Sequence, residues 1–127
     1  MTIKIYTEAF PEDILEQLKK LFLIGNKDQV TAIYVNTFLG KVKDANILTD
    51  EKLITLLAKI NNKFEKNVIS LKKIKDITYV EKGIFGTITY QLSMKKNFEL
   101  QLNRKDGEEF FKLSLEAWEK IKQRPIS

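Results

Sequence analysis

Residues 85–103 constrain the fold of this chain more than any other stretch. Ile88, Tyr90, Leu92 and Met94 alternate with Thr87, Thr89, Gln91 and Ser93. After the polar break Lys95-Lys96-Asn97, Phe98, Leu100 and Leu102 alternate with Glu99, Gln101 and Asn103. Strand side chains point to opposite faces in turn, so strict period two in neighbouring runs predicts a half-buried antiparallel pair. A helical pattern follows at once and needs an apolar surface to sit on. Phe110, Phe111, Leu113, Leu115, Ala117, Trp118 and Ile121 cover a stripe of roughly 200°, wider than a one-sided surface helix shows. The spacing predicts a helix over 105–123 that buries two sides or plugs the open end of a curved sheet. Asp106 is its expected N-cap, Glu108 and Glu109 favour its first turn, Lys120 and Lys122 its last, and Pro125 stops it.

Upstream, Thr2–Tyr6 reads as a short strand or an ordered tail. Pro11 is suited to the first turn of a helix, with Glu12 and Asp13 at the positive end, Lys19 and Lys20 near the negative end, and Gly25 at C′. Ile14, Leu15, Leu18, Leu21 and Phe22 fall on one face, and Glu16, Gln17, Lys19 and Lys20 are expected to face away. That apolar face serves either the chain's own core or a partner, the partner version resting on Ile14, Leu18, Leu21 and Phe22. Val30–Leu39 is uncharged and rich in β-branched and aromatic residues, as a central strand is. Gly40–Asp44 is expected to break it. A strand, a tight turn at Thr49–Lys52 capped by Asp50, and a strand from Leu53 follow, then a polar loop over 60–66. Val68–Leu71 and Ile74–Val80 are the next strands, and Gly83 and Gly86 mark a turn or bulge. The class is α+β: about seven antiparallel strands in a bent sheet or partly open barrel, a C-terminal capping helix and an extra N-terminal helix. The expected organisation is one domain over 1–127, with an N-terminal helical extension at 1–29, strands at 30–103 and the capping helix at 105–123.

Composition narrows the chemistry. The 127 residues include no cysteine and no histidine. Disulfides and thiolates are excluded, and the commonest general base and transition-metal ligand are missing. The carboxylates Asp50, Glu51, Asp76, Glu81 and Glu99 form no paired pattern, and Gly83–Gly86 precedes a strand where a phosphate loop would precede a helix. The expectation is a protein that is not an enzyme and carries no cofactor and no metal. No apolar run approaches the ~20 residues of a membrane span, and the N-terminus lacks the pattern of a signal peptide, which makes the cytoplasm the default, with peripheral membrane association open. The net charge of +5 is uneven: residues 41–96 hold twelve Lys against six acids, while 30–40 hold no charge.

Four pieces of sequence, in order, resemble the bacterial pleckstrin-homology-like (PH-like) domains, including the GRAM group. They are Ala45-Asn-Ile-Leu-Thr-Asp-Glu-Lys-Leu-Ile, Ile69-Ser-Leu-Lys-Lys-Ile-Lys-Asp-Ile, Lys82-Gly-Ile-Phe-Gly-Thr-Ile-Thr-Tyr, and the segment from Asn103 to Trp118. The likeness covers about residues 30–121 and leaves the Pro11–Phe22 helix outside the family core. It implies a seven-stranded bent sheet capped by the C-terminal helix, and a module that binds phosphoinositides, peptides or proteins, or acts as a scaffold. Phosphoinositide-binding members carry a basic motif ending in Lys/Arg-x-Arg across the first two strands. Here that loop offers Lys41-Val42-Lys43 beside Asp44, without arginine.

Two binding modes follow. The first is a protein partner or self-association, through an edge strand or the N-terminal helix face. The alternative is peripheral binding to anionic lipid through Lys41, Lys43, Lys72, Lys73, Lys95 and Lys96. Nucleic acid is disfavoured, because Ile and Leu stand where stacking aromatics would alternate with the basic residues, and arginine is nearly absent.

Overall fold

The computed structural model describes residues 2–21, 23–59, 63–93 and 95–124. They divide into two compact units, one up to residue 69 and one from residue 70. The N-terminal unit is a five-stranded sheet in the order β1 (Thr2–Tyr6), β2 (Val30–Phe38), β3 (Lys41–Thr49), β4 (Lys52–Ala58), β5 (Phe64–Ser70). Thr2–Tyr6 is therefore a strand, paired antiparallel to β2 with Ile5 opposite Tyr34. One helix, α1 (Glu12–Lys20), lies on this sheet.

The apolar face of α1 is buried in cis. Ile14 is 5% exposed and Leu18 0%, in a core with Ile33, Val35, Val42, Ala45, Ile47 and Ile54, and Leu21 packs against its edge. Phe22 lies outside the described residues. Each such side chain contributes about 1.5–3 kcal/mol on leaving water, so the face assigned to a partner is closed by the chain's own sheet.

Gln17 also departs from the sequence expectation. It does not face away: its Nε2 donates to the Gly40 carbonyl at 2.9 Å and its Oε1 accepts from the Val42 N–H at 2.8 Å. The need for that brace comes from the β2–β3 hairpin. β3 begins at Lys41, where a break was expected, because Leu39 (φ 51°) and Gly40 (φ 80°) close a two-residue turn with both φ positive, the hairpin geometry that matches strand twist. Pairing then shifts between Asn36 and Thr37, leaving Lys43 as the extra residue of a bulge. Bulges and tight turns orphan backbone groups, and the Gln17 amide serves two of them.

Other turns are held by side chains that differ from those expected. The Thr49 hydroxyl accepts from the N–H groups of Glu51 (3.2 Å) and Lys52 (3.0 Å), which makes Thr49 the capping side chain of the turn assigned to Asp50. Gly25 is not the C′ residue of α1, which ends at Lys20. Its N–H instead binds the Asp28 carboxylate at 2.7 Å, and with Lys52 3.3 Å away this holds the Asp28 carboxyl below its ordinary pKa. β5 starts at Phe64, inside the stretch expected to be loop. As an edge strand it is exposed along most of its length and so lacks alternation.

The C-terminal unit opens with a single 3-10 turn, Leu71–Lys73, and continues as a three-stranded antiparallel sheet of β6 (Asp76–Lys82), β7 (Phe85–Ser93) and β8 (Lys96–Asn103). Helix α2 (Arg104–Lys122) packs across it. The two alternating runs are β7 and β8, paired Ile88 to Leu100 and Tyr90 to Phe98; Met94 lies outside the described residues. The N-cap of α2 is Asn103, not Asp106: its Oδ1 accepts the Asp106 N–H at 2.9 Å while its Nδ2 donates to the Asp106 carboxylate. Pro125 lies outside the described residues.

Two glycines set how closely α2 approaches. Tyr79 stacks on Phe111 with ring centroids 5.2 Å apart, and its hydroxyl donates toward the Arg104 carbonyl (3.0 Å) and Glu81 (3.1 Å). The ring lies over Gly86, where a Cβ would overlap the Tyr79 hydroxyl, and a Cβ on Gly107 would come within 3.2 Å of the same group. Gly86 requires the absence of a side chain, whereas at Gly107 the Tyr79 ring would have to give by a few tenths of an ångström.

Two predictions follow from these contacts. Gln17→Ala is expected to destabilise the fold by about 1–3 kcal/mol through the backbone groups left without partners, and Gln17→Glu, which keeps the acceptor, by less. Gly86→Ala is expected to cost about 1–3 kcal/mol by overpacking, and the loss should shrink when Tyr79→Ala is combined with it. Urea unfolding of the single and double variants measures both.

Candidate functional site

Strand register gathers the basic residues of the C-terminal unit. Asp76 pairs with Gln91 and Gln91 with Asn97, so the start of β6, the end of β7 and the start of β8 lie at one end of the sheet. The 3-10 turn feeds into that end, and the Lys75 N–H binds the Gln91 carbonyl at 2.7 Å. Lys72, Lys73, Lys75, Lys95 and Lys96 are thereby brought together, all with exposed side chains. Among the described residues none of the five forms an ion pair. Ion pairs among the described residues involve Lys52, Lys59, Arg104, Lys112 and Lys120. The strand ends contribute one carboxylate, Asp76, whose Oδ1 accepts the Ile77 N–H.

Lys41 and Lys43 belong to the N-terminal unit. Lys41 is exposed beside the β2–β3 turn, and Lys43 is half-buried in the bulge. The apex they flank is apolar and exposed: Phe38 is 49% and Leu39 88% exposed. This apex was not anticipated as a feature, and its signal was the Phe38-Leu39-Gly40 run at the end of an uncharged strand. A hollow of about 150 Å³ opens in the same unit beside Lys4, Tyr6, Asp13, Ile14, Val35 and Thr37.

The buried polar groups do structural work. The Tyr90 hydroxyl meets Ser114 Oγ at 2.8 Å within the C-terminal unit, and burial pushes its pKa well above the ordinary 10.0 although the bond to Ser114 offsets part of the rise. A phenol so held is no acid or base near neutrality. Trp118 Nε1 donates to the Ile74 carbonyl at 3.0 Å, fixing the last turns of α2 against the segment that carries Lys72, Lys73 and Lys75. Among the described residues no three carboxylates come together as a metal site, and no helix is long and apolar enough to cross a membrane.

Two antiparallel sheets of five and three strands with a C-terminal helix define a PH-like fold, and similar solved structures bear this out. A DUF1696 family protein with a pleckstrin-homology domain from Shewanella loihica superposes with a TM-score of 0.63 over 87% of this chain and 93% of that one, at 14% identity. The family model for the bacterial PH domain matches residues 23–114, so the chain belongs to the bacterial PH domain family. No curated protein matches it. PH-like domains are as a class interaction modules. β1 and α1 precede the matched segment.

Tyr90→Phe is expected to leave Ser114 without its buried partner and cost about 1–2 kcal/mol. Because the folded pKa lies above the unfolded one, the contribution of the Tyr90 phenol is complete below pH 10.0 and is lost as pH rises from there toward the folded value. Near-ultraviolet titration of the native protein should leave Tyr90 un-ionised until unfolding, and Tyr90→Phe should reduce the amplitude of that late step.

Proposed function

We propose that this protein is a non-catalytic docking module that works at anionic surfaces through the basic end of its three-stranded sheet. The observation that carries this reading is the convergence of five exposed lysines outside ion pairs, drawn from two segments at least twenty positions apart in sequence. Lysine stems are flexible and their charges fully hydrated. Near an anionic bilayer each contributes on the order of 1 kcal/mol, falling off within a Debye length of about 8 Å at physiological salt. Five acting together supply useful affinity without any pocket.

A protein partner is the second reading, and the Phe38–Leu39 apex favours it. Leu39 takes a left-handed backbone conformation that a branched side chain adopts at a cost, and stands 88% exposed. The Gln17 brace holds the turn in place, as a preformed contact point would require.

Co-sedimentation with anionic and neutral vesicles at low and physiological salt separates the readings. The first predicts binding to anionic vesicles only, weakened by salt and abolished by the combined charge reversal Lys72→Glu, Lys73→Glu, Lys95→Glu and Lys96→Glu. Retention of wild-type binding in that variant, with loss in Leu39→Ser, would move the site to the apex.

A further inference from the structure

We infer that the basic end responds to the charge density of an anionic bilayer and not to the stereochemistry of any one headgroup, with Lys122 as an anchor beyond the five lysines. This rests on the anionic-surface reading above.

Three features of the end carry the inference. The first is its chemistry. The 3-10 turn and the strand ends hold lysines and no arginine, and Arg124, just past the end of α2, is engaged in an interaction of its own; lysine is a compact point charge where a stereospecific phosphate site uses the planar fork of arginine. Arg104, the one arginine that begins α2, stands at the opposite end of the sheet and is paired with Glu81 at 3.1 Å.

The second is the direction of α2. A helix N-terminus offers N–H groups and positive potential to a bound phosphate, whereas a C-terminus offers carbonyls and the opposite sign. Trp118 is tied to the Ile74 carbonyl at 3.0 Å, so the C-terminal turns of α2 face the basic end. Exposed carbonyl charge there works against a phosphate seated close to the backbone. The lysine ammoniums, on their longer stems, still attract a surface held farther out.

The third is Lys122. Its Nζ sits 3.9 Å from the Trp118 ring centroid, which places another cation beside the 3-10 turn, on a third segment of chain. Cation–π contact keeps the charge and its hydration on the outer side. The resulting set is broad and predominantly basic, with Asp76 the one carboxylate of the strand ends, suited to a fluid surface of many weak anions.

The test uses the full chain and vesicles of matched surface charge containing phosphatidylglycerol, phosphatidylserine or phosphatidylinositol 4,5-bisphosphate, with soluble inositol trisphosphate as competitor. The expected result is half-maximal binding at the same lipid concentration within about threefold for all three, one common salt dependence, and no competition. Lys75→Gln and Lys122→Gln should each lower partitioning about fivefold, with unchanged thermal unfolding. A tenfold preference for the phosphoinositide, or displacement by inositol trisphosphate, would overturn the inference while leaving the anionic-surface reading standing. Binding to none of the vesicles would sink both. Tighter binding to single-stranded RNA than to any vesicle at the same salt would assign the lysines to a nucleic-acid partner and overturn the inference as well.

Discussion

The C-terminal unit depends on the register of β7. It is the middle strand of its sheet, and Gly86, Ile88 and Tyr90 all take one face, the first under Tyr79 and the last bonded to Ser114 of α2. Side chains alternate with a period of two, so a slip of one residue against β6 or β8 would turn that whole face to solvent. The same register aligns the three strand ends, and with them Lys75, Lys95 and Lys96. Core packing and surface chemistry therefore share one constraint: the pairing that buries Tyr90 also collects the lysines.

In the N-terminal unit the corresponding constraint is the β2–β3 hairpin. Its tight turn and bulge place Val42 and Ala45 in the core, and α1 covers that core while its Gln17 amide serves the turn. β1 and α1 lie before the segment matched by the family model; β1 extends the sheet and α1 seals one of its faces. An amphipathic helix ahead of a PH-like core is here part of the hydrophobic core.

Much of this was legible in the sequence, and for identifiable reasons. β7, β8 and α2 carry long periodic patterns whose apolar side chains are mostly buried or half-buried, and the four motif pieces placed the chain among PH-like domains over nearly the span that the family model matches. What escaped depends on neighbours distant in sequence. Gln17 looks like a solvent-facing amide until a bulge at Lys43 leaves the Val42 N–H without a strand partner. Asn103 and Thr49 each cap an element where a nearby aspartate was the stronger local signal. β5 reads as loop because an exposed edge strand has no buried face to impose alternation. The lysines were individually visible, yet Lys72 and Lys96 come to one end of a sheet only through the pairing of three strands, and Lys41 and Lys43 belong to the other unit.

The measurement that tests the account most directly is a map of backbone amide shifts in ¹⁵N-labelled protein as anionic bicelles are added. The account predicts perturbations concentrated at residues 71–75, 95–97 and 119–123, with the opposite end of the sheet around Gly83 silent. Perturbations centred on residues 38–42, with the lysine segments unmoved, would contradict it.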